Sequence, residues 1–219
     1  MFIISVTFYA KGVDYGSETS KTLLRSGSFV GEMSPIWFYM GNKEYDNLCQ
    51  PFSDVIRDAA RTSFPEWERS VDPNMAKIVL FDQLSRNCFR GTEEAYAYDH
   101  LSQPLARDLS KYALDKDNEK KDYSFTGEMY GCYGNFCILT LMHSETLEDH
   151  ELALKLVEWG KSVAPEMSWD MTKGFLLEHK AVIDRFGRYP HRNKQMRREG
   201  TEEEIEWLSR KEELPSWAK

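Results

Sequence analysis

The sequence predicts an all-α protein of antiparallel helical pairs preceded by an irregular N-terminal arm, and three observations carry that reading. From Asp46 onward apolar residues return at helical spacing. Start signals (Asp or Thr, sometimes with Pro) and stop signals (Gly, then Pro) fall between the periodic stretches. No short turn joins two alternating runs as a β-hairpin would require. Short connections between such helices favour antiparallel neighbours around one core.

Residues 1–34 include "KGVDYGSETSKTLLRSGSFVGEMSP", rich in Gly, Ser and Thr, and read as an arm laid on a single helical domain at 35–219. The alternation at 2–9 is the β candidate. Leu48, Phe52, Val55, Ile56 and Ala59 mark a helix near 47–62, in which Pro51 is tolerable in a first turn or as a kink. Asp72 as N-cap and Pro73 at the first helical position open a short buried helix carrying Met75, Ile78 and Val79. Thr92 caps a third, whose stripe is Ala95, Tyr98, Leu101, Leu105, Leu109 and Tyr112, bent at Pro104. It ends in the charged run "DKDNEKKD".

"FCILTLM" at 136–142 is apolar on every side, and its neighbours decide for helix over strand. Thr146 and Asp149 resemble a capping box ahead of Leu152, Leu156, Trp159 and Val163. Another helix begins near Ser168, places Phe175, His179, Val182 and Phe186 on one face, and stops at Gly187 with Pro190 just beyond. Thr201 and Glu204 form a capping box for a last helix with Ile205 and Leu208.

A chain of 219 residues buries one substantial core. A net charge of −8 argues against nonspecific binding to nucleic acid or an anionic membrane, which needs a broad basic surface. No apolar run is long enough to span a bilayer, and "MFIISVTFYA" lacks the basic start of a signal peptide, so a soluble cytoplasmic protein is expected. Cys49, Cys88, Cys132 and Cys137 have neither zinc-ligand spacing nor disulfide density, and read as reduced thiols.

Against this acidic background, ionisable residues abut apolar runs in "VLFDQLSRNCFRGT", "LTLMHSE" and "RFGRYPHRN". Each lies at or just past the C-terminal end of an expected buried helix, so all three can emerge at one end of a bundle. Asp82, following "IVLF", needs a partner if buried, and Arg86 lies one turn away. Arg90 leads to Thr92 and a helix N-terminus that favours an anion. His143 beside Glu145 is the minimum kit for acid–base work near neutral pH, with Ser144 a cap rather than a nucleophile. His179 occupies an apolar stripe. Arg185, Arg188, His191, Arg192 and Asn193 surround the Gly187 stop, where Gly and Pro fix a loop presenting arginine, the residue of bidentate carboxylate and phosphate recognition.

"LFDQLSRNCFRGTEEAYAYD", "LMHSETLEDHELALKL" and "RFGRYPHRN" followed by "GTEEEIEWL" resemble the signature segments of the domain of unknown function nine-two-four family. The resemblance runs in order from Trp37 to Leu208. It implies tetratricopeptide-repeat-like helical pairs and a shared polar set that adds Gln83, Asn87, Gly91 and Pro190 to the residues above. It implies no reaction and leaves the cofactor unassigned.

The expected function is an enzyme-like pocket for a small anionic substrate, a carboxylate or phosphate. His143, Glu145, His191 and Asp82 are the acid–base set. Arg86, Asn87, Arg90, Thr92, Ser144, His179, Arg185, Arg188, Arg192 and Asn193 are the binding set. The alternative is a peptide-binding helical module without catalysis. Within the enzyme class, His143, His179, His191 and Glu145 as a metal set ranks second, because neighbouring arginines oppose a cation.

Overall fold

The computed structural model describes residues 43–62, 71–115, 127–165 and 167–219. The expected arm, the alternation at 2–9 and most of the charged run beyond Asp115 lie outside the described residues. All the secondary structure that is described is helical.

The helix expected near 47–62 is two. Helix α1 (Lys43–Cys49) passes through a 3-10 turn at Gln50–Phe52 into α2 (Ser53–Arg61). Pro51 has no N–H to donate, so the α ladder breaks there and its phase resets. That reset buries Tyr45, Cys49 and Ile56, whereas Leu48 and Val55, expected on the apolar stripe, are about half exposed.

Helix α3 (Val71–Ile78) includes Asp72, which is therefore not its cap. The chain does not stop there as a short helix would. It widens into a π turn at Val79–Leu84 and tightens again into α4 (Ser85–Cys88). Val79, Phe81, Asp82, Gln83 and Leu84 are all buried and Leu80 is partly so, which encloses most of the turn. Such π segments occur preferentially at functional sites.

The hydroxyl of Thr92 donates back to the carbonyl of Phe89 at 2.7 Å and does not cap. A 3-10 turn at Glu93–Tyr96 follows, and α5 begins only at Asp99, running to Leu114 with Pro104 inside it. Ala95 and Tyr98, expected on the α5 stripe, thus precede that helix.

Helix α6 (Gly127–Met142) carries "FCILTLM" as expected, with Phe136, Ile138 and Leu141 fully enclosed. Four residues turn the chain into α7 (Leu147–Val163), and five more into α8 (Trp169–Phe186). The Thr146 capping box does not form. Asp149 instead gives its carboxylate to Arg107 of α5, at 2.6 and 2.7 Å. The buried face of α8 is Leu176, His179, Val182 and Ile183, one position out of phase from Phe175, which is exposed. Gly187 ends α8 at φ +68°, a left-handed conformation suited to glycine. Helix α9 (Glu202–Ser209) starts with a complete capping box between Thr201 and Glu204, although its Ile205 is exposed.

Helix α6 packs between α5 and α7, and α7 packs on α8. The main core fills this stack, and a smaller cluster of Val182, Ile183 and Tyr189, flanked by Phe186, Trp207 and Trp217, joins the end of α8 to the C-terminal turn. At the junction of the two lie the π turn, the α6–α7 turn and the loop after α8. Among the described residues Cys49, Cys88 and Cys137 are free, buried thiols.

Candidate active site

Asp82 leaves the π turn fully buried, and its carboxylate faces the first residue after α6. Nδ1 of His143 lies 3.0 Å from both Asp82 oxygens. A carboxylate accepts only, so Nδ1 carries the proton and Nε2 keeps the lone pair. The amide of Gln83 also donates to Asp82. Arg86, one helical turn on, lies 3.0 Å from the same carboxylate, donates to the Asp82 carbonyl at 2.7 Å, and pairs with Asp99 at the start of α5, at 3.0 Å.

The fourth member comes from the loop after α8. Gly187 reverses the chain, Pro190 opens a 3-10 turn at Pro190–Arg192, and Arg192 points inward, only 6% of its side chain exposed. Its Nη1 donates to the carbonyl of His143 at 2.9 Å. The guanidinium lies between the rings of Tyr96 and Tyr189, at 4.8 and 4.4 Å. Among the described residues the nearest carboxylate, Asp99, is 3.7 Å away, beyond hydrogen-bond range, and the Nε of Arg192 has no partner.

These surroundings set the charges. Burial opposes ionisation of Asp82, but Arg86 and His143 outweigh it and hold the carboxyl well below the usual carboxylate range. Burial lowers the pKa of His143 despite Asp82, and Arg86 and Arg192 push the same way, so the imidazole is neutral near pH 7. Burial also lowers Arg192, with Arg86 beside it.

The remaining expected residues are engaged elsewhere. Arg90 forms a bidentate pair with Asp46 of α1 at 2.6 and 2.9 Å and donates to the side-chain oxygen of Asn87. Arg185 pairs with Glu203 on the surface, and Arg188 forms a bidentate pair with Glu204 at 2.6 and 2.7 Å. Asn193 also donates to Glu204. Glu145, an acid–base candidate, is held by Arg198 at 2.6 and 2.9 Å and by the N–H of Tyr189. Ser144 accepts from the N–H of Thr146, a turn role. His179 donates Nδ1–H to the carbonyl of Phe175 and stacks on Trp217 at 3.8 Å. His191 packs against Tyr189 and Trp217. Burial drives both His179 and His191 down to about 3, so neither is an acid near neutral pH. With Glu145 and His179 so engaged, the second-ranked metal set is not assembled, and no group of metal-binding side chains occurs among the described residues.

Sequence reasoning missed Asp99, Tyr96, Tyr189 and Arg198. Asp99 and Tyr96 sit in "EEAYAYD" among other acids and tyrosines, with nothing to single them out. Tyr189 had a signal: an aromatic between Arg188 and Pro190 in a loop fixed by Gly187. Two surface depressions of about 630 and 650 Å³ lie nearby, one lined by Arg57, Arg90, Thr92 and Arg197, the other by Phe81, Leu101 and Leu105. Neither is lined by Asp82 or His143, so the hydrogen-bonded geometry, not cavity size, marks the site.

The chain is similar to the solved structure of the protein of unknown function ATU0120 from Agrobacterium tumefaciens. The two are 26% identical, with a TM-score of 0.58 over 87% of this chain and 98% of that one. No curated protein matches. Over residues 27–212, most of its length and all three polar segments, the chain matches the model of the family described as bacterial protein of unknown function, DUF924, and it belongs to that family.

Proposed function

We propose that the protein is an enzyme that binds a small anionic molecule through its carboxylate or phosphate and moves a proton on it with His143. The observation that carries this reading is Arg192. It is a buried guanidinium with no carboxylate in hydrogen-bond range among the described residues, and it donates to the backbone of the very histidine whose ring Asp82 orients. The other arginines of the three segments have close carboxylates, so Arg192 is the cation held for a ligand. In this reading Nε2 of His143 is the atom that exchanges a proton with the bound molecule, the ring cycling between imidazole and imidazolium. Asp82 fixes the tautomer and stabilises the imidazolium. A positioned base of this kind contributes about 10²–10⁴-fold to a rate. Arg86 holds Asp82 in place. Arg90, Arg185 and Arg188 are left to tie helices together.

Thermal unfolding in sodium acetate and in sodium chloride at equal ionic strength tests the anchor. Wild type should melt higher in acetate, because a ligand that binds the native state alone stabilises it by mass action. Arg192→Gln should lose that increment, and Arg185→Gln, on the surface, should keep it. Equal melting in the two salts for wild type, or an increment retained in Arg192→Gln, would remove the anion site. If Arg192→Gln does not fold, the acetate dependence of wild-type melting at constant ionic strength decides: binding to a site saturates, whereas a bulk salt effect rises without limit.

A further inference from the structure

The charges around His143 restrict what Arg192 can hold, and this inference rests on the functional reading above. Arg86 and Arg192 face Asp82 and Asp99, two cations against two anions within one contiguous cluster. The neighbouring charges are closed on each other: Glu145 with Arg198, and Glu204 with Arg188. Among the described residues the other titratable groups facing His143 are His179 from α8 and His191 from the loop, and both are neutral near pH 7. The cluster is therefore electrically balanced while His143 is neutral. An anion entering it is answered only if one positive charge appears with it. Nε2 of His143 is the place for that charge: Nδ1 is already committed to Asp82, and 18% of the side chain reaches the surface. A ligand group carrying two charges would leave one of them uncompensated beside two aspartates in a largely buried site, which is costly.

We propose that the group bound beside Arg192 carries a single negative charge, as a carboxylate does, and that its binding draws one proton from solvent onto Nε2 of His143. Ligand and proton then bind together. The substrate class becomes small carboxylic acids in preference to phosphate dianions. The same step leaves His143 protonated in the complex, ready to act first as an acid.

Uniform ¹³C,¹⁵N labelling of wild type gives the test without any variant. The chain has five histidines, so the Cε1–H resonance of His143 can be assigned through bonds and titrated in chloride, acetate and sulfate at equal ionic strength. The Nε–H resonance of Arg192 reports binding independently. Acetate should raise the His143 midpoint by about one pH unit or more, the size expected for an opposite charge within a few ångströms, and sulfate should not. Acetate that moves the Arg192 resonance but leaves the His143 midpoint in place would overturn the coupled proton and leave the anion site standing. A rise in sulfate as large as in acetate would overturn the single charge. If neither anion moves either resonance, the anion site itself fails, and the functional reading fails with it.

Discussion

Asp82 is the residue on which the site depends, because three groups converge on one enclosed carboxylate. His143, Arg86 and the Gln83 amide all point at it. Replacing it by Asn keeps the shape and leaves an oxygen for Nδ1 of His143, but removes the charge that answers Arg86. Arg86 still has Asp99, so Asp82→Asn should cost about 1.5–3 kcal/mol in urea unfolding, the range for a hydrogen bond to a charged group. Glu203→Gln, which breaks the exposed pair with Arg185, should cost well under about 1 kcal/mol. Equal costs for the two would mean that Asp82 holds nothing together. With its anionic neighbour gone, the His143 midpoint should also fall in Asp82→Asn, since Asp82 is what favours the imidazolium.

The helices are held in register by close approaches that local propensity does not express. Gly160 of α7 is the clearest. A Cβ built there would lie 2.7 Å from the indole of Trp169, which is itself buried and bonded through its N–H to the Ala164 carbonyl. The ring closes the α7–α8 turn against the bare backbone. Gly160→Ala raises helix propensity by about 1 kcal/mol, yet it should destabilise by about 1–3 kcal/mol because the enclosed ring has nowhere to move. Chemical denaturation decides the sign: a stabilised variant would show that the contact is loose. The same helix pair sets the loop that delivers Arg192, so a shift of α8 would also be read in the Arg192 Nε–H resonance.

Taken together, the buried histidines give the whole chain an acid response that starts early. His179 and His191 titrate near 3 in the fold against an ordinary value of 6.5, and His143 and His150 are lowered in the same direction, all by burial first. A depressed histidine binds its proton more readily in the unfolded chain. Its contribution to stability is therefore complete above about pH 6.5 and is lost progressively as the pH falls toward 3. Glu204, lowered to about 2 mainly by its bond from Arg188, adds its loss below 4.5. Unfolding free energy measured by urea should change little from pH 7.5 to 6.5 and then fall ever more steeply toward pH 5, approaching about 1.4 kcal/mol per pH unit for each fully depressed histidine. It should do so before any carboxylate protonates, and His179→Gln should flatten the slope. A stability constant over that interval would mean that these rings are hydrated in solution.

Periodicity and chain punctuation were enough to name the helical class, the buried helix at 136–142, the glycine stop at 187 and the capping box at Thr201, because each is settled by neighbours within one or two turns. They also picked out the three polar segments, and Asp82, Arg86, His143 and Arg192 do meet at one end of the stack. Which of the other ionisable residues belong with them was not legible. Arg90, Arg188 and Glu145 read as site residues in one dimension, yet Asp46, Glu204 and Arg198 take them away. Thr146 and Asp149 have cap spacing, yet Arg107, forty-two residues away, wins the carboxylate. An ion pair is decided by which opposite charge arrives within about 3 Å when the helices pack, and sequence spacing fixes that distance only inside a helix. The π turn at Val79–Leu84 belongs to the same class: tertiary packing around its buried residues, rather than local preference, holds it open and aims Asp82 at His143.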